Sequence, residues 1–362
     1  MAAVLNPVPH GGDVFAAARE LGVEPAAILD FSASINPLGP PEEAMRAAAE
    51  SLTACRHYPE RDGESLRQAL AEQHRLPVDC LLPAAGSTEL IYLLPQVLRP
   101  RRALLLAPAF GEYARALQLA GCRVEELIWQ PGSPFDLDRL LAALDAETDL
   151  LLLANPGNPS GEALPRQLLL ALIDRLPPRI SLVIDEAFAD FCPSISLLDQ
   201  VSRRSRLWVL RSLTKFYAIP GLRAGFVAGP AAGIERLRWR LPPWTLSVPA
   251  AAAARACLAA ADYRRRTLDQ LPAWRRQLCD GLEKLGLSVI PGAANYLLVR
   301  LPEDLRPAAD LVAALRRRRI LVRDCASFSG LDDGWLRLAV RCPEENRTLL
   351  AALADRVGKE VR

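Results

Sequence analysis

Short apolar runs alternate with helix-length segments between about residues 80 and 230. Each run has the length of a buried strand and is bounded by proline, glycine or polar residues. The predicted strands are 103–107, 150–154, 180–184, 207–210 and 226–228, and helical patterns such as 113–120 and 166–176 lie between them. Buried strands separated by helices favour a mainly parallel sheet that is covered by helices on both faces.

The pattern changes after about residue 230. A long stretch rich in alanine and arginine (250–285) predicts helices, and three runs (287–290, 296–300 and 335–340) alternate like half-exposed strands. The first forty residues carry loop signals more than core signals. We therefore predict an N-terminal arm (1–40) that contributes to the small domain and the candidate site, a large domain (41–240) and a small α+β domain (241–362).

Composition excludes several classes of function. A length of 362 residues favours two domains, and a net charge of +2 gives no reason to expect a nucleic-acid partner. The sequence shows no secretory start and no run as long as a membrane span. Eight scattered cysteines without a C-x-x-C pair favour reduced thiols. We predict a cytoplasmic protein without a metal site.

Lysine is rare in this chain, which holds three lysines against forty-one arginines. One of them, Lys215, follows the predicted strand 207–210. Lysine can lose its proton near neutral pH and attack a carbonyl carbon, whereas arginine cannot. A surface lysine after a strand explains the position equally well at this point.

Polar residues collect at the ends of the other predicted strands as well. Asn158 lies in the loop 155–161, Asp185 follows the strand 180–184, and Gly86-Ser-Thr88 precede a helical segment. Each pattern alone is also typical of a turn, a helix cap or a capping box. In a parallel sheet, however, all of them face one crevice beyond the strand ends. The combination therefore predicts a single binding site.

These groups match what pyridoxal phosphate requires. Lys215 supplies an amine for the aldehyde, Asp185 a carboxylate at the ring nitrogen, and Asn158 an amide at the ring hydroxyl. The phosphate is expected at a helix N-terminus with hydroxyls and an arginine. The residues that fit this last role are Gly86, Ser87, Thr88, Ser212 and Arg223.

The motif order resembles a known family. Asn-Pro-x-Asn-Pro-Ser-Gly, then Asp-Glu-Ala, then Ser-x-x-Lys followed by Gly-Leu-Arg is similar to fold-type I pyridoxal-phosphate enzymes of the aminotransferase family, and histidinol-phosphate aminotransferases are the nearest group by motif. The segments 10–12, 30–39, 211–223 and 294–298 resemble more closely the threonine-phosphate decarboxylases of cobalamin biosynthesis. The resemblance covers essentially the whole chain. It implies an α/β fold with a large, mainly parallel sheet and a smaller α+β domain.

The resemblance also implies roles for further residues. Phe110 would stack on the cofactor, and Tyr58 would reach the cofactor phosphate of the neighbouring subunit, which implies a homodimer. Arg337, with Asn158, would bind the substrate carboxylate. His10, Asn36 and Arg323 would surround the substrate phosphate. The implied reaction is the decarboxylation of L-threonine O-3-phosphate to (R)-1-aminopropan-2-ol O-2-phosphate and carbon dioxide.

One departure separates the two groups of relatives. Aminotransferases usually carry a tyrosine where this chain has Phe188, and the missing hydroxyl favours the decarboxylase. A histidinol-phosphate-type aminotransferase remains the main alternative, because the same residues serve transamination if the substrate is rotated. A non-catalytic aminotransferase-like binding module is a second alternative. It is disfavoured because the lysine, aspartate and arginine set is complete.

Overall fold

The computed structural model describes residues 9–357, so the first eight residues of the predicted arm and residues 358–362 at the end of the predicted small domain lie outside the described residues. The strands are β1 (Leu29–Asp30), β2 (Leu81–Ala84), β3 (Arg102–Ala107), β4 (Arg123–Ile128), β5 (Leu150–Ala154), β6 (Ser181–Asp185), β7 (Leu207–Ser212), β8 (Gly225–Ala228), β9 (Ser288–Ile290), β10 (Tyr296–Arg300), β11 (Ile320–Leu321), β12 (Arg323–Asp324) and β13 (Trp335–Ala339). The helices are α1 (Val14–Leu21), α2 (Glu42–Ser51), α3 (Glu64–His74), α4 (Ser87–Leu98), α5 (Glu112–Leu119), α6 (Leu137–Ala142), α7 (Arg166–Arg175), α8 (Leu213–Phe216), α9 (Ala231–Arg240), α10 (Val248–Ala259), α11 (Ala261–Lys284), α12 (Ala308–Arg317) and α13 (Pro343–Val357).

A seven-stranded sheet in the order β2-β8-β7-β6-β5-β3-β4 forms the larger part of the molecule. Neighbouring strands from β7 to β4 run parallel, and β8 is antiparallel to both β7 and β2. The predicted mainly parallel sheet is therefore confirmed, and all five predicted strands are present. Two strands were not predicted: β2 contains Pro83, and β4 is a charged edge strand.

Helices cover both faces of this sheet. Side chains alternate along a strand, so Leu151 and Leu153 of β5 belong to one apolar cluster, while Leu150 and Leu152 belong to another. The first cluster includes residues of α2, α3, α7 and α10, and the second includes residues of α4, α5 and α9. Burial on both faces explains why the central strands read as continuous apolar runs.

A second, four-stranded antiparallel sheet follows the order β12-β13-β10-β9, and α11 packs against β9 and β10. The prediction of half-exposed strands is wrong for β10 and β13, which are almost entirely buried. The alternation in β13 comes from Arg337, which is buried because it bonds to Asn158 and to a backbone carbonyl. Within residues 9–357, no helix is both long enough and apolar enough to cross a membrane.

The N-terminal segment is more than a surface loop. β1 pairs with β11 in parallel, and the next residue, Phe31, is fully buried. α10, which the predicted boundary at 240 assigns to the small domain, packs against α2 and α3. The division into arm, large domain and small domain stays a prediction.

Candidate active site

A cavity of about 450 Å³ lies beyond the carboxyl ends of β3, β5, β6 and β7. Its walls come from the large sheet, from β12 and β13 and from the N-terminal segment. The predicted residues that line it are His10, Ser87, Thr88, Phe110, Asn158, Asp185, Ser212, Lys215, Arg223, Arg323 and Arg337. The structure therefore brings together most of the predicted site from segments that are far apart in the sequence.

Lys215 lies in the short helix α8, directly after β7. The pKa of its amine is lowered from 10.5 to about 8, mainly by burial and also by the nearby charges of Arg337 and Arg223, while Asp185 acts in the opposite direction. A lysine with this pKa is a neutral nucleophile in a large fraction of molecules near pH 8.

Asp185 ends β6 and is only 5% exposed. Its carboxylate accepts hydrogen bonds from the Tyr113 hydroxyl at 2.7 Å and from the Ala187 backbone N–H at 2.8 Å. Burial raises the pKa of Asp185, and these two bonds oppose the rise. Burial and the Asp185 charge hold the pKa of Tyr113 well above its usual range, so the phenol remains a donor. The two donors fix the carboxylate in one orientation.

Two arginines face each other across neighbouring strands, because Arg323 of β12 is paired with Arg337 of β13. Arg337 donates to Asn158 Oδ1 at 2.6 Å and to the Ser32 carbonyl at 2.8 Å. Arg323 donates to the Pro9 carbonyl at 2.8 Å and to Ser327 Oγ at 2.9 Å. In the described part of the chain, neither arginine forms an ion pair with a carboxylate.

Burial lowers the pKa of Arg323, and the charge of Arg337 acts in the same direction. Like charges directly opposite on neighbouring strands repel each other. The Nε atom of Arg337 is buried without a partner among residues 9–357. An arginine pair of this kind is suited to bind anionic groups.

The N-terminus of α4 supplies a second place for an anion. Gly86 has φ +87°, and a Cβ atom there would lie 2.6 Å from Arg223 Nη2, so glycine allows the arginine to approach. The expected capping box is only half formed: no side chain caps the helix, although the Ala85 N–H donates to Glu89 Oε2 at 2.8 Å. Uncapped backbone amides at a helix start favour a phosphate.

These groups fit pyridoxal phosphate. The cavity combines a buried amine, a buried carboxylate with a fixed orientation, and hydroxyls with an arginine at a helix N-terminus. Ser212 Oγ also bonds Thr214 Oγ1 at 2.7 Å, which places a second hydroxyl beside it. An aromatic ring, Phe110, lines the same wall and packs edge-on against Tyr113, with ring centroids 5.6 Å apart.

Three predicted residues do not line the cavity, and Asn36 is the clearest case. It is 2% exposed, and its amide donates to the Phe216 carbonyl at 2.8 Å and to Thr267 Oγ1 at 2.9 Å. Its Oδ1 accepts from the Leu38 N–H. All of these bonds hold the N-terminal segment in place, so the amide of Asn36 is not available to a ligand in the cavity.

Ser34, two residues before Asn36, does line the cavity. Its Oγ is buried and has no partner among residues 9–357. Tyr58 also lies outside the cavity of its own chain: it is 78% exposed and stacks on Trp244 with ring centroids 4.5 Å apart. Gly86, the third, directly precedes the lining residues Ser87 and Thr88 in the sequence.

Comparison with known proteins gives the family. The model of the family "Aminotransferase class I and II" matches residues 26–353. The chain belongs to this family. The region matched includes Lys215, Asp185 and Asn158 at the strand ends.

Relatives within the aminotransferase family differ in their reactions. The chain is 40% identical over 352 residues to the threonine-phosphate decarboxylase of Salmonella typhimurium, with 96% of each chain covered. It is 33% identical to histidinol-phosphate aminotransferase 2 of Ralstonia nicotianae, covering 98% of this chain and 96% of the other. The solved structure of L-threonine-O-3-phosphate decarboxylase from Porphyromonas gingivalis is 27% identical in sequence, with a TM-score of 0.81, and the match covers 92% of this chain and 100% of the other.

Sequence reasoning missed several polar groups of this aminotransferase-family site. Glu112 and Tyr113 follow the predicted strand 103–107 by a few residues, and both line the cavity. Their position after a strand end, the same signal that identified Asp185, points to the cavity but does not show which residues they contact. Ser34 carries no comparable signal, because a serine in a loop is common.

Proposed function

We propose that this chain is a pyridoxal-phosphate-dependent decarboxylase that converts L-threonine O-3-phosphate to (R)-1-aminopropan-2-ol O-2-phosphate and carbon dioxide in cobalamin biosynthesis. The observation that carries the proposal is the pair Arg323 and Arg337, which line one cavity with Lys215 and have no carboxylate partner in the described chain. A substrate with a carboxylate and a phosphate satisfies both arginines. The relative at 40% identity supports the same reaction.

Pyridoxal phosphate, when bound, supplies an electron sink for the carbanion that decarboxylation leaves. Lys215 would attach to it covalently, and Asp185 would keep a proton on its ring nitrogen. Asn158 would hold the ring hydroxyl, and Phe110 would pack on the ring. The residues that would hold its phosphate are Gly86, Ser87, Thr88, Ser212 and Arg223.

Substrate orientation decides which bond breaks. Arg337, with Asn158 beside it, holds the carboxylate, while Arg323 and His10 hold the phosphate. Fixing both ends sets the rotation about the substrate N–Cα bond, and that rotation determines whether the carboxylate or the hydrogen leaves. Lys215, with its lowered pKa, can return a proton to Cα.

Phe188 supports the decarboxylase over the aminotransferase. The ring is buried and packs edge-on against Tyr296, with centroids 4.9 Å apart. The chain therefore places no hydroxyl at this position, where aminotransferases usually have one. The relative at 33% identity keeps the histidinol-phosphate-type aminotransferase as the alternative.

An assay of the purified protein with pyridoxal phosphate and L-threonine O-3-phosphate separates the two reactions. We expect carbon dioxide and aminopropanol phosphate in equal amounts, without any need for 2-oxoglutarate. Glutamate formed from 2-oxoglutarate, without carbon dioxide, would support the aminotransferase and contradict the proposal. The matched control is histidinol phosphate with 2-oxoglutarate, for which we expect little turnover.

We propose further that the protein is a cytoplasmic homodimer in which Tyr58 reaches the cofactor phosphate of the neighbouring subunit. Tyr58 and Trp244 stack in an exposed aromatic patch, which supports a surface that a second subunit covers. Eight free cysteines fit a reducing compartment. Mixing Lys215→Ala and Tyr58→Phe subunits tests this. Hybrid dimers regain one intact site, so activity above that of either variant is expected, and an unchanged sum of activities would contradict a shared site.

A further inference from the structure

We propose that Glu112 is a positioning residue that orients His10 toward the phosphate of the substrate. This inference rests on the proposed function, since it concerns how the phosphate end is held. Glu112 is the first residue of α5, follows Phe110 and Gly111 after β3, and lines the cavity although only 4% of it is exposed.

The carboxylate of Glu112 collects three partners. Its Oε1 bonds His10 Nε2 at 2.8 Å, its Oε2 accepts from the Tyr92 hydroxyl, and Arg115 Nη1 lies 3.7 Å from Oε2. A buried carboxylate is costly without such partners. One of the three, His10, comes from the N-terminal segment, 102 residues away in the chain. Glu112 therefore links this segment to the large sheet.

The bond to Glu112 fixes the state of the imidazole ring. An ionised carboxylate only accepts hydrogen bonds, so Nε2 of His10 must carry the hydrogen. This leaves Nδ1 for a ligand. The ring is also held on one side by Phe110, with centroids 5.5 Å apart, and 48% of the His10 side chain remains exposed. His10 is thus oriented but not enclosed.

The neighbours of His10 indicate what Nδ1 binds. Its own segment is tied to Arg323 through the Pro9 carbonyl, and the Gly12 N–H donates to Ser32 Oγ at 2.8 Å. His10 and Arg323 therefore border the same end of the cavity. A phosphate oxygen accepts hydrogen bonds, so Nδ1 can bind it only when the ring carries both hydrogens. The negative charge of Glu112 is the partner that balances such a ring.

The test must distinguish the proposed positioning role of Glu112 from a purely structural role. A glutamate in the first turn of a helix stabilises it through the helix dipole. Glu64 has the same place in α3, where it lies 3.5 Å from Arg67 and contacts no histidine in the described structure. Glu64→Gln is therefore the matched control for Glu112→Gln, since both remove one charge from the first position of a helix.

The kinetic test compares two substrates. For L-threonine O-3-phosphate, Glu112→Gln is expected to raise KM about tenfold while kcat changes less than about twofold, because one charge-assisted contact is weakened. For L-threonine, which lacks the phosphate, kcat/KM is expected to stay the same. Glu64→Gln is expected to change neither the KM for L-threonine O-3-phosphate nor the kcat/KM for L-threonine. Equal losses on both substrates would overturn the proposal, and so would a further loss when Glu112→Gln is added to His10→Gln.

A spectroscopic test does not depend on turnover. The chain has three histidines, so ¹⁵N-histidine labelling gives three imidazole signals, and His10→Gln assigns one of them. With the ring neutral, His10 of the wild-type holoenzyme is expected to carry its hydrogen on Nε2, and Glu112→Gln is expected to shift this signal. A neutral His10 ring that carries its hydrogen on Nδ1 and not on Nε2 would overturn the inference. If the protein fails to decarboxylate threonine phosphate, the proposed function fails, while this measurement still decides the His10–Glu112 contact.

Discussion

Two groups of charged residues lie near the carboxyl ends of β6 and β7, in part contributed by other elements, and they differ in how their charges are matched. Behind the cavity, Arg211 bonds Glu186 at 2.9 Å and Asp190 at 2.5 Å, and Arg264 of α11 bonds Asp190 at 2.9 Å. We call Glu186, Asp190, Arg211 and Arg264 the paired cluster. In the cavity itself, Lys215, Arg323 and Arg337 form no ion pair with a carboxylate in the described chain.

Burial does not separate the two groups, because Arg337 is nearly as buried as Arg211. Pairing separates them. The paired cluster satisfies its charges internally and joins the large sheet to α11, whereas Lys215, Arg323 and Arg337 have no carboxylate partner in the described chain. The comparison teaches that an unmatched buried charge identifies a ligand site better than charge or burial alone.

The largest effect should come from the unmatched lysine. Lys215→Ala removes the amine that we propose attaches the cofactor, so kcat is expected to fall by at least about a thousandfold. Mass spectrometry after borohydride reduction checks the covalent linkage. Lys284→Ala is the matched control, because Lys284 is exposed at the end of α11, and it is expected to keep both the linkage and the activity. A reducible linkage that survives in Lys215→Ala would refute the assignment.

A substitution in the paired cluster should lower the stability of the protein and not its affinity for the substrate. Arg211→Met leaves two buried carboxylates short of a partner, and we expect a loss of about 3–5 kcal/mol in the free energy of unfolding. Urea unfolding followed by circular dichroism measures it. Arg265→Met, which breaks an exposed pair with Asp262, should cost less than about 1 kcal/mol. Similar losses in the two variants would show that the paired cluster has no structural role.

Removing an arginine that has no carboxylate partner should weaken substrate binding and change stability little, the opposite of the effect expected in the paired cluster. Arg323→Met is expected to raise KM for threonine phosphate at least about tenfold, because a charge-assisted contact to the phosphate is lost. Its free energy of unfolding should change by less than about 1 kcal/mol, because a repulsion with Arg337 disappears as well. Arg300→Met, which loses a pair with Asp332, is the control for KM. A large loss of stability in Arg323→Met with KM unchanged would place Arg323 with the paired cluster.

The smallest effect concerns proton affinity in the apoprotein. Lys215 has its pKa lowered to about 8, so the fraction of neutral amine, and with it the rate of acetylation, should rise with pH with a midpoint near pH 8. Arg337→Met removes a charge that lowers this pKa, so the midpoint should move to higher pH. Peptide mapping after pulse labelling follows Lys215, with Lys284 as the internal reference. A midpoint that does not move would show that Arg337 and Lys215 are not coupled.

The central strands whose ends border the cavity were predictable because they are buried on both faces. β5 begins and ends at the predicted residues, Asp185 lies at the end of its strand, and Lys215 follows β7. β4 was missed because an edge strand with alternating charge, Arg123–Ile128, does not look like a core strand.

The direction of a loop side chain was not predictable. Asn36 and Ser34 lie two residues apart, and only the folded chain shows that the serine faces the cavity while the amide holds the backbone of α8. Glu112 was missed for a related reason. Its role depends on His10 and Tyr92, which reach it from distant parts of the sequence.

The hydrogen bond between Arg323 and the Pro9 carbonyl joins residues separated by 314 positions, and the bond between Arg337 and the Ser32 carbonyl joins residues 305 apart. Contacts between residues so far apart in the sequence cost the most loop-closure entropy and form late. On a ribosome, the segment from residue 9 to residue 32 must wait for almost the entire chain before its partners exist. The end of the cavity that we propose receives the substrate phosphate is therefore the last part of the site to be assembled.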